Sequence, residues 1–570
     1  MAGAFPPFEV TSFIWWWPLP LLTALWFRES GTSARPSSGF ALGWLAGFLF
    51  GAISFFWLSD IADTPRALSL LAWLLLSAYL GLYFGAWAWF VRRLRPGPEQ
   101  LRSSLQTIRI ALLGSLAWTG LEWLRSTLFG GFSWNGLGIA LHENLPLIQV
   151  ADLVGAIGLS FLPLYTALIL ALVAWRIREE VREQRFRPHL DFASAVLLVL
   201  GVFFYGLDRL NSASPEGRLR VEALLLQQNI PQEEKWDPEQ AQEIYQGWIN
   251  LLGEASLALE TQRESALRSA LTATGQTTYL IPHTDLVILP ESAVAQPIGL
   301  QPNPQWLDLM HETFQEGNFT LLTGINRLPD PDHYYNSLLA TRGAEQARAV
   351  YDKRHLVPFG EYFPGSTWCP PIAWMEEKIL FGHFASGSKD QAPLAPGNQA
   401  FDLLPLICFE DTVAPLARTS LRTDRPQILV NVTNDAWFRE SSASWQHFVN
   451  AKFRCIEVRR PMFRTANTGV SGAIDEWGSV FSRFEESSRE QILREQKTGR
   501  TFTRGWLQAS LWPARQPGLT PYARWGDWFG LSAFLFLALS VLLPWLRQPD
   551  RFKIFSRKID QQSKKPGAKS

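Results

Sequence analysis

Hydrophobic and polar positions divide the chain into two kinds of sequence. Residues 1–210 and about 525–546 carry long apolar runs, whereas about 215–520 alternates short β-rich runs with amphipathic ones. Runs long enough to cross a hydrocarbon core of about 30 Å lie at about 39–59, 68–91, 108–127, 150–175, 191–207 and 526–546. A shorter one at about 12–27 opens with Trp15, Trp16 and Trp17, side chains that favour the membrane–water interface. The expectation is a polytopic α-helical membrane domain of about seven spans. Residues 1–10 hold no basic residue and no cleavage site follows, so the first run does not read as a cleavable leader.

The intervening region predicts strands at 221–226, 286–289, 320–324, 349–352, 404–408, 428–432 and 470–475. It predicts helices at 238–259, 305–315 and 444–459. Such alternation implies an α/β sandwich, in which chemistry sits at strand ends and the loops beyond them. The predicted organisation is membrane helices over 1–210, a catalytic domain over 215–520, a last span at 525–546 and a basic tail at 547–570.

Charge then orients the chain. Arg92, Arg93, Arg95 and Arg102 follow the third run, and Arg176, Arg178, Arg182, Arg185 and Arg187 follow the fifth. The tail adds Arg547, Arg551, Lys553, Arg557, Lys558, Lys564, Lys565 and Lys569. The alternate loops, near 60–67 and 128–148, are almost free of positive charge. Basic loops face the cytoplasm, which puts the α/β region outside it, in the periplasm of a bacterium with two membranes. A net charge of zero gives no reason to expect a nucleic-acid partner. No zinc-site spacing and no phosphate-cradling glycine motif occurs, so neither metal nor cofactor is expected. Cys369, Cys408 and Cys455 are odd in number, leaving at least one free thiol; a Cys369–Cys455 bridge is the alternative for the other two. Glu122 and Arg125, one turn apart inside an apolar run, read as a structural ion pair or a substrate contact.

Three reactive residues stand in distinctive contexts: Glu291 in Leu-Pro-Glu-Ser, Lys353 in Asp-Lys-Arg-His, and Cys408 in Ile-Cys-Phe-Glu-Asp. Each falls at or just past the end of a predicted strand. A thiol needs a base to become a nucleophile, and Glu291 supplies one if burial raises its pKa. The tetrahedral intermediate needs a cation and an N–H, which Lys353 and the Phe409 amide provide. Glu361 and Glu410 either orient the lysine or bind an incoming amine. Taken singly, the cysteine also reads as an inert core thiol, the glutamate as a helix start and the lysine run as solvated surface.

Together these contexts resemble the nitrilase superfamily. The likeness includes Gln228-Asn229-Ile230-Pro231-Gln232 with Lys235-Trp236, Tyr335-Asn336-Ser337, and His355 to Glu361. It extends to Asn434-Asp435-Ala436-Trp437-Phe438 and Gly518 to Arg524. With membrane helices on both sides, the chain is similar to the apolipoprotein N-acyltransferase branch. The resemblance implies a four-layer α-β-β-α sandwich and a ping-pong reaction without cofactor. In that reaction an acyl chain passes from a phospholipid, typically phosphatidylethanolamine, to Cys408 as a thioester. It then passes to the α-amino group of a diacylglyceryl-cysteine at an apolipoprotein N-terminus. Glu291 would be the base, Lys353 the oxyanion lysine and Cys408 the nucleophile, with Trp236, Asn336, Glu361, Phe409 and Glu410 as substrate or supporting positions. The implied location is the bacterial inner membrane. A membrane-anchored amidase using water, or a silent lipoprotein-binding homologue, would share the same triad.

Departures from the family are local. Phe409 stands where tyrosine is frequent, and Arg439 where glycine is common. Phe5-Pro6 and Trp17-Pro18 are usually preceded by a further span, so the expectation is seven spans instead of eight. Residues 261–283 read as an insertion. Residues 361–400, rich in Gly, Pro, Ser and aromatics, predict either a lid that dips into the membrane or a packed excursion. The candidate lid aromatics are Phe359, Tyr362, Phe363, Trp368, Trp374, Phe381 and Phe384.

Overall fold

In the computed structural model, strands of the α/β region present alternate residues to two different cores. The structure describes residues 1–26, 37–272, 283–298, 312, 319–330, 333–342, 347–379, 384–485 and 489–546. Strand β1 (Val221–Gln227) sends Val221, Ala223 and Leu225 inward and Leu224 and Leu226 outward, the period-two consequence of pleating. Ten further strands follow: β2 (Leu286–Ile288), β3 (Val294–Ile298), β4 (Thr320–Asp330), β5 (His333–Arg342), β6 (Ala347–Asp352), β7 (Asp402–Ile407), β8 (Gln427–Thr433), β9 (Met462–Ala466), β10 (Gly472–Ile474) and β11 (Gly505–Leu511). One sheet has seven strands in the order β11-β1-β2-β4-β5-β6, with β3 against β4; the other runs β10-β9-β8-β7. Inward residues of both sheets, such as Leu225, Ile288, Leu403, Ile407 and Val430, share one core.

Helices cover the outer faces. Among the described residues the helices of nine or more residues are labelled α1 (Ser37–Ser54), α2 (Arg66–Arg93), α3 (Ser104–Arg125), α4 (Ala151–Leu159), α5 (Phe161–Glu183), α6 (Leu190–Asn211), α7 (Ala241–Thr272), α8 (Pro370–Ile379), α9 (Ala443–Val458) and α10 (Trp528–Leu546). Trp248, Leu251, Leu252, Ala255 and Leu259 of α7 pack on the outer face of the seven-stranded sheet. Phe448, Ala451, Cys455 and Val458 of α9 pack on the four-stranded sheet. The opposite face of α9, through Ala443, Val449, Phe453 and Ile456, joins the core of the N-terminal helices. A helix buried on both sides is what ties the two halves together.

Among the described residues three helices, α2, α5 and α6, are long and apolar enough to cross a membrane, and Gly39–Ser54 and Trp528–Leu543 are shorter apolar helices. The run at about 150–175 is not one helix. It breaks at Gly155, whose φ of 73° places it in the left-handed region and whose Cβ would lie 2.6 Å from the Tyr522 ring. The Ala156 N–H near the break is satisfied from outside the helix, donating to Glu457 Oε1 at 2.8 Å. The first run resolves into a short 3-10 turn and an eight-residue helix, Leu19–Trp26, before the described residues pause. Glu122 and Arg125 are both buried but do not pair with each other. Glu122 accepts the Leu137 amide at 2.8 Å and Arg125 donates to the Trp134 carbonyl at 3.4 Å, so both hold the loop after α3.

The expected insertion begins as a continuation of α7 to Thr272, and 273–282 lie outside the described residues, as do the 305–315 helix apart from residue 312, Phe381 and the basic tail. Residues 384–400 are a packed excursion. The Ala385 amide donates to the Tyr334 carbonyl at 2.7 Å, Gly387 to Lys353 at 2.8 Å, and Leu394 enters the inter-sheet core. Phe359, Trp368 and Trp374 remain exposed ahead of it. All three cysteines are free, so the Cys369–Cys455 bridge is not formed.

Candidate active site

Strand ends deliver the three reactive side chains to one place. Lys353 directly follows β6, Cys408 directly follows β7, and Glu291 lies three residues beyond β2. The chain past β2 can approach β4 because β4 has glycine at 324; a Cβ there would sit 2.2 Å from the Pro290 carbonyl oxygen. Cys408 itself adopts φ of 52°, a conformation that costs a non-glycine residue energy and needs firm surroundings.

Lys353 is the hub. Its Nζ donates to Glu361 Oε1 at 2.8 Å and lies 3.7 Å from Glu291 Oε1. Burial opposes its charge, yet Glu361, then Glu291, outweigh burial and raise its pKa above the ordinary lysine value. The lysine is therefore a fixed cation. Asn336 on β5 donates through Nδ2 to Glu291 Oε1 at 2.6 Å and approaches Glu361 Oε1 at 3.4 Å. Glu361 Oε2 accepts the Val357 amide at 2.8 Å, which closes the loop that carries it. Glu291 Oε2, by contrast, is buried with no hydrogen-bond partner among the described residues. One oxygen of this carboxylate is anchored and the other is unspent.

The thiol is partly buried, and burial followed by the negative charge of Glu291 pushes its pKa up, with Lys353 pulling the other way. At rest it holds its proton, so a base is required before it can attack. Glu410, two residues on, has a different task from Glu291. It is fully buried and accepts from the Ile407, Arg354 and His355 amides at 2.7, 2.7 and 3.0 Å and from the Tyr351 hydroxyl at 2.9 Å. These bonds tie the loop after Lys353 to the turn at Cys408.

Trp236 is 38% exposed, directly after the short helix Gln232–Lys235. Phe409 stacks at 5.9 Å on His355 and packs against the core of the N-terminal helices. The His355 ring Nε2 in turn lies 2.8 Å from the Gly130 carbonyl of the loop after α3. Two neighbours carry no role in the sequence reading. Lys235 is buried, donates to the Glu291 carbonyl at 2.8 Å, and is pushed down to about 8 by desolvation, against the pull of Glu291 and the Cys408 sulfur. Its place in the Lys235-Trp236 motif was a signal that it mattered. His447 reaches the Cys408 carbonyl from α9, and nothing in the sequence set it apart from the other polar residues of that helix, Ser444, Gln446, Asn450, Lys452, Arg454 and Glu457.

Comparison with known proteins places both halves. Residues 1–178 match the model of the apolipoprotein N-acyltransferase N-terminal domain, and residues 236–497 that of the carbon–nitrogen hydrolase family. An apolipoprotein N-acyltransferase of Geobacter metallireducens is 31% identical over 489 residues, 84% of each chain. One of Nitrosomonas europaea is 30% identical, covering 92% of this chain and 91% of its own. One of Chromobacterium violaceum is 31% identical over 567 residues, 96% of this chain and 93% of its own. Among solved structures, a carbon–nitrogen hydrolase from Helicobacter pylori G27 aligns with 51% of this chain and 89% of its own, at 15% identity and a TM-score of 0.31; a likeness that distant carries no argument.

Proposed function

We propose a reaction from one premise: this chain belongs to the apolipoprotein N-acyltransferase family. It is an acyltransferase with a nitrilase-like domain that N-acylates lipoproteins, taking its acyl chain from a phospholipid. Cys408 carries the chain as a thioester, and the unspent Glu291 Oε2 beside the fixed Lys353 cation is the observation that carries this assignment.

In the first half-reaction Glu291 takes the thiol proton and Sγ attacks the ester carbonyl carbon of the phospholipid. The carbonyl oxygen becomes negative and is held by the Lys353 ammonium and the Phe409 N–H. As the C–O bond breaks, Glu291 returns its proton to the departing glycerol oxygen and the lysophospholipid leaves. In the second, the α-amino nitrogen of the diacylglyceryl-cysteine attacks the thioester carbon. Glu291 accepts the surplus amine proton and passes it to the sulfur as the C–S bond breaks. The amide product leaves and the resting thiol is restored. Phosphatidylethanolamine is the proposed donor, and the exposed Trp236 a substrate contact.

The proposed architecture is a four-layer α-β-β-α sandwich over 215–520, supported by α7 and α9 on opposite outer faces of the paired sheets. About seven spans surround it, over 1–210 and 525–546, supported by three long apolar helices and two shorter ones. The positive-charge pattern supports a bacterial inner membrane with the catalytic domain periplasmic and the 547–570 tail cytoplasmic. The test is the intact mass of the purified chain after incubation with phosphatidylethanolamine, beside Cys408→Ser. The expected result is a hydroxylamine-labile gain of one acyl chain in the parent alone. No adduct in the parent, or an adduct of the same lability in the variant, contradicts the assignment.

A further inference from the structure

Against the backbone of the nucleophile lies a buried cluster that the reaction above does not use. His447 on α9 sits between Asp435, with Nδ1 2.9 Å from Oδ1, and Asp411, with Nε2 2.8 Å from Oδ1. Arg464 of β9 pairs with both aspartates. Two carboxylates, a guanidinium and a ring make a neutral set only if the ring is protonated. The hydrogen bonds require the same: Nδ1 faces a carboxylate oxygen and Nε2 a carbonyl oxygen, so both nitrogens must donate. Burial opposes that charge, and Asp411 and then Asp435 overcome it against Arg464, raising the pKa to about 9.

The direction of the second proton is what matters. Asp411 Oδ1 is close to Nε2 yet makes no hydrogen bond, whereas Nε2 lies 3.2 Å from the Cys408 carbonyl oxygen with acceptable geometry. Asn431 Nδ2 donates to the same oxygen at 3.3 Å. The Cys408 carbonyl and the Phe409 N–H belong to one planar trans peptide and point opposite ways. Pinning the carbonyl to α9 therefore turns the Phe409 N–H away from α9. As a first-turn amide of the short 3-10 helix Cys408–Thr412, that N–H has no acceptor within the helix. The left-handed turn at Cys408 is the kind of backbone that holds only when its surroundings fix it. The membrane half helps to do so: Trp134, from the loop after α3, stacks on the His447 ring at 5.4 Å and 23°.

We propose that His447 is a positioning residue for acyl transfer, holding the Cys408–Phe409 peptide so that the Phe409 N–H faces the oxyanion, with Trp134 of the membrane half holding the ring. The inference rests on the thioester reading given above. It predicts that the two amide replacements of the imidazole behave differently, although both lose the charge. His447→Gln can place an N–H near the position of Nε2 and keep a donor to the Cys408 carbonyl. His447→Asn can reach only the position of Nδ1 and loses it.

The experiment uses the full chain in phosphatidylethanolamine-containing micelles and measures two rates at Cys408. One is thioester formation from the lipid. The other is alkylation by iodoacetamide, a displacement that develops no oxyanion, located by peptide mass. The expected result is a loss of about 100-fold or more in thioester formation for His447→Asn, the scale of a lost oxyanion donor. His447→Gln should lose no more than about 10-fold, with alkylation within about 3-fold of the parent in both. Equal losses in the two variants, or alkylation falling in step with acylation, overturns the inference. Loss of alkylation together with a lowered melting temperature in both assigns His447 to folding alone and overturns it too. A parent chain that is alkylated but forms no thioester overturns the underlying reading itself, a distinguishable outcome.

Discussion

Glu291 and Glu410 are both buried carboxylates beside the thiol, and they differ in what their oxygens have already spent. Glu410 meets three backbone amides and a tyrosine hydroxyl, whereas Glu291 anchors one oxygen on Asn336 and leaves the other without a partner. A carboxylate whose lone pairs are filled by the backbone is scaffold, because moving a proton onto it would break several bonds at once. A carboxylate with an open oxygen next to a cation can take and return a proton at little cost to the fold. The same contrast holds on a larger scale. The face of the nucleophile toward Glu291 and Lys353 keeps reactive capacity in reserve, and the face toward α9 has neutralised its charges among Asp411, Asp435, Arg464 and His447.

Substitution should separate the two kinds. Glu291→Gln is expected to slow thioester formation by about 1000-fold or more, on the scale of a lost general base, with the melting temperature nearly unchanged. Glu410→Gln should do the reverse. It turns an acceptor toward four donors into a group that must donate, and is expected to cost about 3 kcal/mol of stability while the folded fraction acylates within about 10-fold of the parent. Parallel acylation rates and denaturation curves check both. If the two variants lose rate and stability in the same proportion, the contrast between spent and unspent oxygens fails.

A smaller effect sharpens the comparison from the side of the cations. Lys235 has its pKa lowered to about 8, so the folded chain binds its proton less tightly than the unfolded one. Between about pH 8 and the unfolded lysine value near 10.4, the unfolded state holds more protons, and this group makes stability rise with pH. Lys235→Met should remove that rise, while at pH 7 relief of the buried charge is offset by loss of the hydrogen bond to the Glu291 carbonyl. Denaturation at several pH values across the window checks the sign. A variant whose pH dependence still rises as in the parent would show that the ammonium is not the titrating group.

Much of this site was legible because strands end where alternation ends. The runs leading to Glu291, Lys353 and Cys408 are short, apolar and followed by polar residues, so each reactive side chain could be placed at a strand end. Strands β3, β5, β9 and β11 were not anticipated. β5 carries Asn336 and Ser337 in its middle, and β9 carries Arg464, a buried guanidinium whose partners lie far away in sequence. Polar side chains that serve long-range pairs break the apolar pattern on which strand recognition depends. The same limit hid the role of His447, which exists only because α9 passes behind Cys408. In the membrane half, the break at Gly155 needed knowledge of Tyr522, more than 300 residues on, and the expected pairing of Glu122 with Arg125 yielded to backbone partners in the next loop.

The central claim is that the acyl chain waits on Cys408 for an amine. It is tested most directly by isolating the acyl-enzyme, removing free lipid, and adding a diacylglyceryl-cysteine peptide in a single turnover. The account predicts that the mass on Cys408 disappears as one acyl chain appears in amide linkage on the peptide α-amino group, mole for mole. Release of the chain as free fatty acid, with the peptide unchanged and the rate independent of its concentration, would contradict it.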